Sequence, residues 1–123
     1  MKKFAILLAF LTFVAACSDD DDNAKLEPCT TNVVSALNVL VTNEANEPVV
    51  SGITVTATDG DFSEQLQLLP VTSEYTGVSE RAGTYVISIA GDDYIPYVSD
   101  PIVIKADRCH VINQKITVQL TTD

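Results

Sequence analysis

The residue best suited to acid–base chemistry in this sequence is His110, the only histidine among 123 residues. A nucleophilic enzyme would need it as the base beside a serine or cysteine. The sequence around Ser73, Ser79 and Ser88 shows no nucleophile elbow or oxyanion loop. A zinc site would need further ligands, and Cys109 is expected to be oxidised. We therefore interpret His110 as a structural or surface histidine, predict no catalytic residue, metal or cofactor, and keep a hydrolase as an alternative.

Two acidic turns, Asp59-Gly60-Asp61 and Asp92-Asp93, carry the oxygen ligands that suit calcium. Neither turn matches the calcium-loop spacing, in which acidic or amide residues alternate with others and a glutamate follows later. We interpret both as solvated turns, because Asp and Gly favour turn conformations.

Two aromatic residues flank a proline in the segment Tyr94-Ile95-Pro96-Tyr97. Proline stiffens a loop, and a tyrosine ring combines an apolar surface with a polar hydroxyl. Tyr94 and Tyr97 are therefore the candidate ligand-binding residues, suited to stacking on a sugar or gripping a peptide. The alternative is that the rings cover the open end of a small core.

The N-terminus has the order of an export signal. Two lysines precede an apolar run over residues 4–14, in which Thr12 is the one polar residue, and two alanines stand directly before Cys17. The run is too short to span a bilayer. The alternative, a buried core helix, would show apolar residues on one side only, whereas here nearly every side chain is apolar. The sequence predicts a cleavable signal peptide over residues 1–16.

Residues 11–17 resemble a lipobox, in which the cysteine receives a diacylglycerol thioether before the signal is cut immediately upstream. The resemblance implies that Cys17 becomes the acylated first residue, carrying fatty acids such as palmitate. Each buried methylene contributes about 0.8 kcal/mol, so several chains anchor the protein permanently. Ser18 and four following aspartates resemble the signal that some Gram-negative bacteria use to export lipoproteins to the outer face of the outer membrane. The alternative is a solvated spacer.

The net charge of the mature chain restricts the classes of partner that it can bind. Loss of Lys2 and Lys3 with the signal leaves five basic residues against seventeen acidic ones, a net charge near −12. This charge opposes contact with a phosphate backbone, so no nucleic acid is expected as a partner.

With Cys17 acylated, two thiols remain, Cys29 and Cys109, in a compartment where disulfides persist. The sequence predicts that they pair, and the alternative is two buried free thiols. Each cysteine lies just before a predicted strand. The first and last strands should therefore leave the disulfide in the same direction and run roughly parallel.

From Pro28 onward, short alternating runs rich in Val, Ile and Thr are separated by Gly, Pro, Asn and Asp. This period of two indicates β-strands, and no segment shows helical periodicity. The sequence predicts an all-β fold, a single immunoglobulin-like sandwich of about seven strands. The predicted inward face of the first strand is Val33, Leu37, Val39 and Val41. That of the last is His110, Ile112, Ile116, Val118 and Leu120, with a bulge or a late start near Gln114.

Three parts of the sequence together carry a family resemblance: residues 39–42 leading into 47–49, residues 75–77 followed by 82–85, and residues 107–111. They resemble the carboxypeptidase regulatory-like domains, a transthyretin-like family of β-sandwiches, so the resemblance implies a transthyretin-like sandwich. The resemblance covers roughly residues 29–121, and its better markers are the Gly-Thr-Tyr strand entry and the Cys-His-Val start of the last strand. It implies an accessory or binding module, and neither marker is a catalytic motif.

The predicted organisation is a signal peptide over residues 1–16, a lipidated N-terminus with an acidic flexible tether over 17–28, and a sandwich domain over 29–123. The predicted function is a non-enzymatic module that binds a glycan or a protein at the bacterial surface. Outer-membrane lipid is the expected partner of acylated Cys17. An accessory or structural subunit of a larger outer-membrane complex is the alternative.

Overall fold

A computed structural model describes residues 28–123 of the chain, and the predicted signal peptide and Cys17 lie outside these residues. The described part forms nine strands. They are β1 (Ser35–Thr42), β2 (Ile53–Asp59), β3 (Phe62–Gln65), β4 (Gln67–Leu69), β5 (Glu74–Ser79), β6 (Gly83–Gly91), β7 (Tyr94–Val98), β8 (Ile102–Ile104) and β9 (Gln114–Gln119). Among these residues, no helix has the length and apolarity needed to cross a bilayer.

The strands form two sheets, which confirms the predicted all-β sandwich. The first sheet has the order β4-β5-β1-β9, and the second has the order β3-β2-β6-β7, with β8 also paired to β6. Strands β1 and β9 are parallel, with Leu37 aligned to Gln114. The first and last strands therefore run as the cysteine positions predicted.

The nine strands occupy eight positions, four in each sheet, because β7 and β8 share one position beside β6. Only Leu66 separates β3 from β4, and its N–H donates to the Val55 carbonyl oxygen while the chain bends from the second sheet into the first. Strands β7 and β8 lie on the same side of β6. Between them, Ser99 donates its N–H to the Ile87 carbonyl and accepts the Ile87 N–H at Oγ.

Alternation along the strands builds the core between the sheets. On β2, Val55 and Ala57 are buried while the threonines between them face outward. Two core predictions were wrong. Val33 is 72% exposed because β1 begins only at Ser35, and Ile112 is exposed while Val111 is buried. Val111 bridges to Ala106 in a turn before β9, which reverses the parity predicted for this segment.

A tyrosine corner ties the entry of β6 to the β2–β3 hairpin. The buried Tyr85 hydroxyl donates to the Arg81 carbonyl oxygen at 2.7 Å and accepts from Arg81 Nη1 at 2.9 Å. The same Nη1 donates to Asp59 Oδ2 at 3.0 Å, and the guanidinium carbon lies 4.0 Å from the centre of the Phe62 ring. A buried tyrosine bonded to a carbonyl just upstream is a recurrent brace of β-sandwiches.

The directions of the strands place the loops at two opposite ends of the sandwich. The disulfide end holds Cys29, the β2–β3 turn, the β5–β6 turn and the segment over residues 105–113. The distal end holds the loops over residues 43–52, 70–73 and 91–93. A chain that enters at residue 28 therefore enters opposite the distal loops.

Candidate functional site

A disulfide joins Cys29 to Cys109, as the sequence predicted, with a Cα–Cα distance of 5.3 Å across 80 residues of sequence. Thr30 and His110 follow the two cysteines directly. The pairing of the cysteines thus brings a hydroxyl and an imidazole together at the disulfide end.

His110 bridges Thr30 and Glu80. Its Nδ1 lies 2.6 Å from Glu80 Oε2, and its Nε2 lies 2.9 Å from Thr30 Oγ1. The Glu80 carboxylate also accepts the backbone N–H groups of Val34 at 2.9 Å and Val111 at 3.3 Å. The hydrogen bond from Val34, together with His110, holds the pKa of Glu80 below its usual range. The carboxylate is therefore an anion at neutral pH.

Asp107 fixes the backbone on the other side of this cluster. Its Oδ1 accepts the N–H groups of both Cys109 and His110 at 2.8 Å. Both hydrogen bonds lower the pKa of Asp107, and the one from the His110 N–H has the larger effect. Two ionised carboxylates thus hold the turn that carries Cys109 and His110.

The order Thr30, His110, Glu80 is that of a nucleophile, a base and an orienting acid. Acyl transfer also needs a substrate cleft and hydrogen-bond donors for an oxyanion. Two surface concavities, of about 480 and 110 Å³, are lined by residues other than these three. What the contacts do is join three segments: the chain entry, the β5–β6 turn and the lead into β9. We call Cys29, Thr30, Glu80, Cys109 and His110 the disulfide clasp.

Backbone strain accompanies the clasp. Glu80 has φ +54°, and the buried Val78 has φ +59°, which is rare for a β-branched residue. The Val78 N–H on β5 donates to Oε2 of Glu64 on β3 at 2.9 Å. The Glu80 N–H donates to the Val34 carbonyl oxygen. These bonds stabilise a conformation that each residue would otherwise avoid.

Tyr94 and Tyr97 are both half-buried and pack against the core. Residues three apart normally point to opposite faces of a strand, but β7 carries one extra residue between the pairs Tyr97–Ile89 and Tyr94–Gly91. The bulge turns both rings inward. Part of Tyr97, with Ile95 and Pro96 and residues 119–121, lines a concavity of about 110 Å³. A ligand-binding role for the two tyrosines stays a prediction.

A larger, shallow concavity of about 480 Å³ lies at the distal end, between the start of β2 and the end of β6. Its lining includes Gly52, Thr54, Ala90, Gly91 and Asp92. A Cβ at Gly91 would stand 2.6 Å from the Gly52 carbonyl oxygen, so this close approach of two backbones requires glycine.

The acidic turns that the sequence singled out do not converge. Asp59 pairs with Arg81, whereas Asp92 lies at the distal end. Within residues 28–123, no group of three or more His, Cys, Asp or Glu side chains is placed to hold a metal ion.

The outer face of the second sheet carries no charged side chain, and we call it the neutral face. Strand pairings align Thr56 with Ser88, Thr58 with Val86, and Ser88 with Val98. The outward-facing residues are Thr54, Thr56, Thr58, Ser63, Gln65, Thr84, Val86, Ser88, Ala90, Val98 and Val103. Val98 and Val103 are 67% and 55% exposed.

The outer face of the first sheet is different, because it carries a charged network. Glu74 Oε2 lies 3.2 Å from Lys115 Nζ, and Glu74 Oε1 accepts from Asn38 Nδ2 at 2.8 Å. Asn113 in turn donates to Asn38 Oδ1 at 2.9 Å. The bond from Asn38, and then the one from Lys115, lowers the pKa of Glu74.

Sequence reasoning missed Thr30 and Glu80 as partners of His110. The positions of Thr30 and His110 directly after the two cysteines were a usable signal once the disulfide was predicted. Glu80 had none, because it reaches the clasp from a turn between other strands. No protein-family model matches the chain, and no curated protein matches it.

Proposed function

We propose that this chain is a lipid-anchored, non-enzymatic module of the bacterial cell envelope, exported under its N-terminal signal and held at the outer membrane by acylated Cys17. The observation that supports this most is the Cys29–Cys109 disulfide. Such bonds persist in the oxidising compartments that exported proteins reach, and they are rare in the cytosol. The family we propose for the domain is the carboxypeptidase regulatory-like sandwiches.

The position of the disulfide also supports the anchoring. Residues 17–28 could extend roughly 40 Å, and they would enter the sandwich beside the clasp. A clasp at the point of entry keeps the tether from pulling β1 out of the sheet. The distal loops would then face away from the membrane, so we propose an exterior-facing module that presents them to a partner.

The exposed side chains of the sandwich favour a protein over a glycan as its partner. Tyr94 and Tyr97 pack against the core, so each offers only part of its ring for stacking on a sugar. Exposed apolar side chains such as Val98 and Val103 suit contact with another protein. The same exposure favours the second candidate, an accessory subunit of a larger outer-membrane complex.

Expression of the full precursor in a Gram-negative host tests the anchoring, with Cys17→Ser as the variant and Ser18→Ala as the matched control. We expect the wild type and Ser18→Ala in the membrane fraction, with the mass of a triacylated N-terminal peptide beginning at Cys17. Cys17→Ser should leave that fraction. An unmodified Cys17 in the wild type would contradict the proposal.

Protease treatment of intact cells then tests the exterior location. We expect the sandwich to be released from cells carrying the wild type. Replacement of residues 19–22 by asparagines should leave the chain protected until the outer membrane is opened. Protection of the wild type would contradict the exterior location and leave a periplasmic module.

A further inference from the structure

We propose that the Thr30 hydroxyl is an acceptor for acyl groups, activated by His110 and Glu80 to react with an ester or thioester that has a good leaving group. The inference goes beyond the proposed function and does not depend on the lipid anchor. The three side chains are joined in series by hydrogen bonds. Thr30 Oγ1 lies 2.9 Å from His110 Nε2, and His110 Nδ1 lies 2.6 Å from Glu80 Oε2.

The ionised state of Glu80 sets the direction of both hydrogen bonds. Its carboxylate accepts two backbone N–H groups and has no proton to donate to the imidazole at neutral pH. The proton of the neutral ring therefore lies on Nδ1, which leaves a lone pair on Nε2. The Thr30 hydroxyl then donates its proton to Nε2, and this is the arrangement that a general base needs.

Thr30 is also accessible to a reactant. The residue and both of its neighbours along the chain are exposed. The His110 and Glu80 side chains are only 20% and 33% exposed, so the base is partly shielded while the hydroxyl faces solvent. The disulfide joins the residues directly before Thr30 and His110, so it holds the hydroxyl beside the base before any reactant arrives.

The charges around Thr30 select the class of donor. Glu80 and Asp107 are both ionised, and one guanidinium, that of Arg108, lies 3.9 Å from Sγ of the adjacent Cys29. A phosphoryl donor carries several negative charges and needs cations to neutralise them. Two carboxylates against one guanidinium oppose such a donor. An uncharged acyl ester or thioester meets no such repulsion.

The reaction is a substitution at the acyl carbon. Thr30 Oγ1 attacks the carbonyl carbon while its proton passes to His110 Nε2, and Glu80 stabilises the imidazolium that forms. The bond from the acyl carbon to the leaving oxygen or sulfur then breaks. The leaving group departs with the electron pair and takes the proton from Nε2. The products are a threonine ester and a free alcohol or thiol.

The acyl group stays on Thr30, because the threonine alkoxide is a poor leaving group. Its release by water would pass through a second oxyanion, for which one well-placed hydrogen-bond donor is worth about 10²–10³-fold in rate. The two surface concavities of the described residues lie elsewhere, so neither encloses this site. We therefore expect one acyl group per chain and no turnover, in keeping with a non-enzymatic module.

Treatment of the full chain, purified with its disulfide intact, with p-nitrophenyl acetate tests the site. Mass spectrometry of the peptides locates the acetyl ester. Thr31 is the matched control within the same peptide, because it is also exposed and both ring nitrogens of His110 are bonded to other residues. A general base contributes about 10²–10⁴-fold, so we expect at least about tenfold more ester on Thr30 than on Thr31. Equal labelling of the two hydroxyls, or no label on either, would overturn the proposal.

His110→Gln separates the base from the fold, since glutamine can hydrogen-bond to Thr30 but cannot take its proton. Acetylation of Thr30 should fall to the level of Thr31, while Val71→Glu, at a distal site that is 96% exposed, should react like the wild type. Wild-type labelling of a folded His110→Gln would overturn the role of the base. If this variant does not fold, the comparison of Thr30 with Thr31 in the wild type decides alone.

The release of p-nitrophenolate distinguishes this inference from the proposed function. We expect a single burst of about one equivalent per chain from the hydroxyl. Continued release that His110→Gln abolishes would show a hydrolase, and it would overturn both the stable ester and the non-enzymatic module. Absence of the ester on Thr30 without such release would overturn the acceptor site and leave the proposed function intact.

Discussion

Glu80 Oε2 lies 2.6 Å from His110 Nδ1, although thirty residues separate the two in the sequence. The contact joins the turn before β6 to the turn before β9. It also makes the stability of the clasp depend on pH, since the carboxylate of Glu80 must stay ionised to hold its three donors.

We predict that acid weakens the fold partly through Glu80. Its pKa is lowered in the folded chain, so its contribution is present above the ordinary value of 4.5 and is lost as pH falls through the folded value. Urea unfolding at pH 7 and about pH 3 should show Glu80→Gln less stable than wild type at pH 7, with a smaller loss on acidification. Asp61→Asn, at an exposed turn, is the control and should follow the wild type. Identical pH profiles for Glu80→Gln and the wild type would contradict this account.

We predict that the disulfide contributes a large part of the free energy of unfolding. Closing a loop of 80 residues restricts the unfolded chain by about 4 to 5 kcal/mol on the chain-entropy model. The double variant Cys29→Ala/Cys109→Ala should lose stability of that order in urea. Reduction of the wild type should reproduce the effect, and Thr30→Ala should cost much less. A double variant as stable as wild type would show that the clasp does not restrain the chain.

We predict that Tyr85→Phe destabilises the sandwich without changing its shape. The substitution removes the hydrogen bond to the Arg81 carbonyl oxygen and one acceptor for the guanidinium. An unsatisfied buried polar group costs about 1 to 3 kcal/mol. Tyr97→Phe, on a half-buried ring, is the matched control and should change the free energy of unfolding little. Equal effects for the two would exclude the tyrosine corner as the cause.

We predict that Gly91→Ala is more damaging than Gly77→Ala. A Cβ at Gly91 meets the backbone carbonyl oxygen of Gly52 at 2.6 Å, whereas at Gly77 it meets the side chains of Glu64 and Leu66. Side chains can rotate away and a backbone cannot, so we expect a loss of about 1 to 3 kcal/mol for Gly91→Ala. Thermal unfolding of both variants measures the difference, and the reverse order would contradict the close approach at the distal concavity.

The fold was predictable because apolar and polar residues alternate along each strand and so mark its buried and exposed faces. Alternation in the first strand predicted that Leu37, Val39 and Val41 would be buried, and the two cysteines predicted that β1 and β9 run parallel. Alternation failed where the chain left the sheet. Val33 precedes β1, and the turn joining β8 to β9 buries Val111 in place of Ile112. The inward turn of both Tyr94 and Tyr97 depends on a bulge that no local pattern showed.

The sequence by itself determined the class of fold, the disulfide and the expectation of an anchored, exported chain, because residue type and spacing along the chain carry these properties. Only the tertiary structure decided that Glu80 completes the clasp, that the distal loops lie opposite the chain entry, and that one sheet face is neutral. These features combine residues from strands far apart in sequence. Contacts between such residues follow from strand pairing and from the stacking of two sheets, which no local pattern in the sequence specifies.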